Sequence, residues 1–289
     1  MRRPLTLFFV SLLVGVPLAQ ADPVGVIQDV KFCGAYTIRT YRDYRDHLGD
    51  APSGSVEILH RDKRVYEPCG FASFIGIRPD YPDVRPSHVS QDLTASGAPH
   101  VVIYEWTGGA HGNHIVHVFR LGRECQEIAV INGECWEPEF IEKKPNEAWE
   151  VRTRDSAFTY WPQSYATSPF PEIVLRWAGS HYVLAKDKMM KPAPSPRELE
   201  IWAEKIHADP GWNWRPMAIP PELYAITLDL MYSGHEDLGW KFLRQGWNPA
   251  IPFDEKLVTG LKERLSESHY WAPLQQREPV VDGMKLSSK

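Results

Sequence analysis

Apolar and polar positions divide the chain into three stretches of different rhythm. Residues 1–21 open on Arg2 and Arg3, run through the apolar segment Leu5–Leu18 and close on Ala19-Gln20-Ala21. A charged start, a short apolar middle and a small-residue end are the marks of a cleaved secretory signal. From residue 22 to 190, short apolar runs alternate with turn residues. The clearest lies in Gln91–Gly122, where Val101–Trp106 and His114–Leu121 flank the pair Gly108-Gly109. Two β-branched runs joined by a glycine-containing loop predict a β-hairpin. Ser55–Leu59 and Arg64–Tyr66 predict another, joined at His60–Lys63, and Ile173–Trp177 with His181–Ala185 a further one around Ala178–Ser180. Phe71–Ile77 and the alternating Ala148–Thr153 are further strand candidates. Pro79, Pro82 and Pro86 predict an ordered loop, and Asn132-Gly133 predicts a turn after Glu127–Ile131.

The rhythm changes at Pro192, Pro194 and Pro196, which predict a linker. Beyond it the apolar period lengthens to that of a helix. Ser195 can cap a helix opened by Pro196, with Glu198 as its capping-box partner. Pro220–Tyr232, Asp237–Gly246 and Asp254–Ser266 predict three more helices. The residues from 272 are polar and predict a disordered tail, 272–289. The expected fold is therefore α+β. An antiparallel β-rich domain of propeller-blade-like hairpins spans 22–190, and a small helical region spans 191–271.

Composition narrows the function more than it defines it. The formal charge of −5 becomes more negative once Arg2 and Arg3 are removed, and no basic block is present. This argues against a nucleic-acid partner. No second apolar stretch is long enough to span a bilayer, so a soluble periplasmic or secreted protein is expected. Four cysteines, an even number in an exported chain, favour disulfides. Cys125 and Cys135 flank one apolar run and its turn, which makes Cys125–Cys135 the preferred bridge and leaves Cys33–Cys69.

Glu105, His111, His114 and His117 form the densest group of potential ligands. Imidazole and carboxylate suit a divalent transition metal such as zinc, copper or nickel. Alternation along a strand nevertheless sends His114 and His117 to opposite faces, so only His111, in the turn, could join either. The preferred reading is a structural hairpin without a cofactor. The alternative is a metal-binding protein or metal-dependent enzyme using these residues. Neither G-x-S-x-G, S-x-x-K nor H-E-x-x-H occurs, and a non-catalytic role is favoured. Asp155 with His111 and a serine would make a triad only by assembly across the fold. Among 11 tryptophans core packing is the leading expectation, and Trp212 and Trp214, in a loop between Pro210 and Pro216, are the pair with the best claim to exposure. With Glu105 and His111 they are the candidate ligand-binding residues, since aromatic faces stack on sugars. The expected partner is an envelope glycan or another protein.

The turn Asp92-Leu93-Thr94-Ala95-Ser96-Gly97 resembles the Asp-rich turn of FG-GAP and VCBS-type β-repeats. In those repeats the turn often holds calcium. Here Thr94 and Ser96 replace two carboxylates, so calcium is not expected. Glu105–His111 (EWTGGAH), Arg154–Trp161 and Leu230–Gly234 (LMYSG) resemble segments of a group of exported Gram-negative proteins of unassigned function. The resemblance covers residues 90–271. It implies the same β-rich body and helical tail and brings no activity with it. A binding or structural role in the periplasm is what remains.

Overall fold

The computed structural model describes residues 26–42, 54–66, 84–106, 112–162, 164–214 and 219–276. The expected signal (1–21), the strand candidate Phe71–Ile77, Cys69 and His111 lie outside the described residues. The fold is α+β, with three antiparallel four-stranded sheets and helices concentrated in the C-terminal part. Each sheet is a meander of four consecutive strands, the connectivity of a propeller blade. The first contains β1 (Val26–Cys33), β2 (Tyr36–Arg42), β3 (Gly54–His60) and β4 (Lys63–Tyr66). The second contains β5 (Val84–Gln91), β6 (His100–Trp106), β7 (His114–Leu121) and β8 (Cys125–Glu134). The third contains β9 (Glu139–Ile141), β10 (Glu150–Arg154), β11 (Glu172–Trp177) and β12 (Tyr182–Leu184).

The second sheet is the middle layer, and the period-2 alternation of its strands explains why. Val101, Ile103, Phe119 and Leu121 pack against Tyr36, Ile38, Val56 and Ile58 of the first sheet. Val102, Tyr104, Val116 and Val118 share a second core with Val151, Ile173 and the helices. A strand covered on both faces carries apolar residues at consecutive positions, as β6 does.

The helices are α1 (Lys186–Met189), α2 (Pro196–His207), α3 (Gly211–Trp214), α4 (Pro221–Tyr232), α5 (Glu236–Gln245), α6 (Glu255–Glu267) and α7 (Trp271–Gln275). Both halves of the α2 capping box form: Glu198 N donates to Ser195 Oγ (3.2 Å), and Ser195 N donates to Glu198 Oε2 (2.7 Å). Helix α7 carries order past residue 271, because Leu274 is buried in the same core; the expected tail boundary at 272 is too early. No helix among the described residues is long and apolar enough to cross a membrane.

Three expectations are corrected by strand geometry. Pro86 lies within β5 rather than in a loop, opposite Ile103. An edge strand tolerates the missing N–H, and left-handed His88 (φ 49°) and Ser90 (φ 72°) break the alternation that would have revealed the strand. Asn132-Gly133 does not turn the chain; β8 runs through it to Glu134. A Cβ on Gly133 would run into the Trp136 carbonyl and lie 2.6 Å from Pro138 Cδ. Gly133→Ala should therefore lower stability by about 2–3 kcal/mol, read in urea melts. An unchanged midpoint would refute this close approach.

The third correction concerns the cysteines. Cys125 begins β8 and Cys135 follows its last residue. At the rise of a β-strand their α-carbons are roughly 30 Å apart, whereas a disulfide requires less than about 7 Å. Among the described residues Cys33, Cys125 and Cys135 form no disulfide, and the expected partner of Cys33, Cys69, lies outside them. Peptide mapping without reduction should accordingly find no Cys125–Cys135 cross-link. Finding one would mean that β8 is not a continuous strand.

The first sheet also buries a charge. Glu57 of β3 is 2% exposed. Its carboxylate accepts from Arg39 Nη1 (3.1 Å), Arg64 Nε (3.0 Å) and the Tyr41 hydroxyl. Burial alone would raise its pKa. Hydrogen bonds from Tyr41, Arg64 and Arg39 outweigh that and hold it below the usual carboxylate value.

Candidate functional site

The histidine hairpin is assembled as strand alternation requires. His117 bridges three strands: its Nδ1 lies 2.7 Å from Glu127 Oε1 on β8, and its Nε2 lies 3.3 Å from Glu105 Oε2 on β6. Burial would pull its pKa down, but the two carboxylates prevail and raise it. Both ring nitrogens of His117 are thus committed to carboxylates, which favour its protonated form. The ring lies beside Tyr66 and Phe119, on the side of the first sheet. His114, three residues earlier, has its Nδ1 4.0 Å from Glu137 Oε2 and its ring stacked on Trp106. Among the described residues, no group of three His, Cys, Asp or Glu side chains is placed to hold a metal ion.

The Asp92–Gly97 turn closes on itself. Asp92 accepts from the backbone N–H groups of Thr94 (3.2 Å), Ser96 (3.1 Å) and Gly97 (2.6 Å). Burial opposes ionisation of Asp92, but these three bonds hold its pKa below the ordinary value. Beneath the turn, fully buried His100 accepts from Leu93 N at Nδ1 and meets Thr94 Oγ1 at Nε2, each at 3.2 Å. Burial lowers the His100 pKa and keeps the ring neutral.

Trp212, one of the pair with the best claim to exposure, is in the core instead. It lies in α3, is 7% exposed, donates from Nε1 to Ile206 O (2.8 Å) and meets Trp247 edge-on at 5.2 Å. The short helix turns the indole back under α2. The side chain of Trp214 lies outside the described residues.

A cleft of about 690 Å³ opens elsewhere, between β8, β12 and the corner that joins α6 to α7. Both strands are edges of their sheets. Five consecutive β8 residues, Ile128–Asn132, line it, as do Tyr182, Val183 and Leu184 of β12. Successive strand residues point to opposite faces. A run of neighbours along one wall therefore means that the cleft meets the edge of the strand.

Asp155 anchors the inner end. It follows β10, is 3% exposed, and accepts at Oδ2 from the Tyr232 hydroxyl (2.5 Å) and from Ser268 Oγ, and at Oδ1 from Ala157 N (3.0 Å). Ser268 Oγ also accepts from Tyr270 N (3.1 Å) and Trp271 N (3.0 Å), which fixes the start of α7. Two hydroxyls at the cleft wall, Ser156 Oγ and Tyr182 Oη, are buried without a hydrogen-bond partner among the described residues. Burial, then the charges of Asp155 and Glu134, push the Tyr270 phenol up to about 12. Arg154 also reaches the cleft, but its guanidinium is stacked over Trp136 at 4.3 Å and its Nη1 donates to Phe170 O at 3.4 Å.

The Arg154–Trp161 and Leu230–Gly234 segments meet here. Asp155 bonds Tyr232, and the rings of Phe158 and Tyr232 lie 6.3 Å apart. Those segments were the only sequence signal for this region. Ser156 lies within the first of them, whereas nothing local marked Tyr182 or Ser268, which come from separate parts of the chain. Comparison with protein-family models, curated proteins and solved structures finds no match.

Proposed function

We propose that this is an exported, periplasmic binding protein, built from successive blade-like β units, whose ligand occupies the cleft between β8, β12 and the α6–α7 corner. The secretory pattern of residues 1–21 supports export, and the three four-strand meanders support the repeat reading. The observation that carries the binding reading is that two of the five buried hydroxyls without a partner among the described residues, Ser156 Oγ and Tyr182 Oη, belong to residues of the cleft wall. An uncompensated buried hydroxyl costs about 1–3 kcal/mol, and a bound molecule offering polar atoms would offset that cost. The cleft has the size and mixed lining of a ligand site.

The test places a photo-crosslinking amino acid at Val130, an exposed residue of the cleft wall, or at Ile201, an exposed residue of α2. Each protein is irradiated with soluble periplasmic extract separated into peptide and glycan fractions. Adducts with one fraction at Val130 and none at Ile201 are expected. Equal labelling at both positions, or none at Val130, would reject the cleft as a binding site.

A further inference from the structure

The cleft is bounded by something more specific than apolar side chains. Among the described residues the outer edge of β8 has no strand beside it: within its sheet β8 pairs with β7 alone. No backbone hydrogen bond joins Ile128–Asn132 to any other segment among the described residues. These residues face the cleft, with exposed Val130 at their centre. An edge strand presents a row of unpaired N–H and C=O groups, which is a template for one more strand. Natural edges are commonly blunted by charges or covered. This one is recessed between β12 and the α6–α7 corner, so a second folded sheet has poor access and a single extended chain has room.

Charge selects among extended chains. Glu134 and Asp155 lie at the inner end, close enough together that both act on Tyr270. Neither has a cationic side-chain partner among the described residues, because Arg154 is turned onto Trp136 and Phe170. Beside them are the unpartnered Ser156 Oγ, on a residue 8% exposed, and Tyr182 Oη. Resting on the binding reading above, we infer that the occupant is an extended peptide that adds as a strand to β8. It directs one basic side chain toward Glu134, the carboxylate of the pair that is not committed to internal donors, and alternate apolar side chains toward Val130 and Leu184. In this mode backbone pairing supplies affinity, and alternate side chains supply specificity.

The experiment selects heptapeptides from a random displayed library against the full mature protein. Enriched sequences should alternate β-branched residues and carry Lys or Arg at a fixed place. Each winner is then resynthesised with N-methyl groups on alternate amides, in both frames. Methylation in the pairing frame should weaken binding more than about tenfold, and in the other frame much less. Glu134→Lys should lose the basic peptides by a similar factor. Hydrogen exchange should show new protection at Ile128–Asn132. Several results overturn the strand: an empty selection, winners indifferent to both methylation frames, or protection elsewhere. Binding that emerges only when residues 277–289 are removed would also do so, by assigning the edge to the chain's own tail. Glycan adducts at Val130 combined with an empty selection would reject the strand while leaving the cleft a binding site. No adducts at Val130 with either fraction would remove both readings.

Discussion

Asp155→Ala should lower the stability of the protein by about 3–5 kcal/mol, the largest loss expected from any single truncation near the cleft. The carboxylate is 3% exposed and is the acceptor for three groups: the Tyr232 hydroxyl, Ser268 Oγ and Ala157 N. Tyr232 and Ser268 are themselves 3% and 7% exposed, so water cannot readily replace the lost acceptor. Each buried donor left unpaired costs about 1–3 kcal/mol. The damage is also topological, because this one side chain ties the loop after β10 to α4 and to the start of α7. For a chain of this size the melting temperature should fall by roughly 10 °C. Asp155→Asn keeps one carbonyl acceptor and should lose about half as much. A melting temperature within about 2 °C of wild type for Asp155→Ala would show that the network carries little of the stability.

Glu57→Ala should cost about as much, for a different reason. The glutamate compensates two arginines, and its side chain is 3% exposed against 33% for Arg39 and 23% for Arg64. Removing one partner of a buried ion pair leaves charge uncompensated, typically at about 3–5 kcal/mol. The pH dependence gives a sharper test through Glu57→Gln. Because the folded-state pKa is held below its ordinary value, the stabilisation is fully present above the unfolded value of about 4.3 and is lost as pH falls through the folded one. The stability gap between wild type and Glu57→Gln should therefore be widest near neutrality and shrink below about pH 4. A gap that stays constant down to pH 2 would mean that the ionised form is not preferentially stabilised.

Much of the secondary structure could be read from local pattern because local forces set it. Ser195 and Glu198 cap α2 with atoms three residues apart, and Asp254 caps α6 by bonding Lys256 N. The run in β6 is apolar at successive positions because both its faces are covered. What stayed hidden was fixed from a distance. Strand β5 is paired despite Pro86 because β6 provides the partner. Gly133 resembles a turn glycine, yet it is required because Trp136 and Pro138 come back against it. Trp212 has loop-like neighbours but is held inside by Ile206 and Trp247. The hairpin histidines attracted notice because they are close in sequence, and a β-strand separates such neighbours. The cleft escaped notice because its walls come from segments around 128–134, 154–157, 181–184 and 267–273. No periodicity links positions so far apart.

The meander topology has a consequence for the order in which the chain acquires its structure. Within each sheet, sequence neighbours pair, so only modest loops must close before contacts form, and such contacts are quick to make. A chain emerging N-terminus first can complete its sheets one after another. The bonds that join Asp155 to Tyr232 and to Ser268 span 77 and 113 residues and cannot form until the last helices have arrived. Asp155 is therefore placed as a latch that closes late. Until it does, the helix-facing side of the sheets, including Val118 and Val151, stays open to solvent and to any chaperone that recognises bare apolar surface. Variants at the latch should consequently speed unfolding while leaving the formation of the first sheet unaltered.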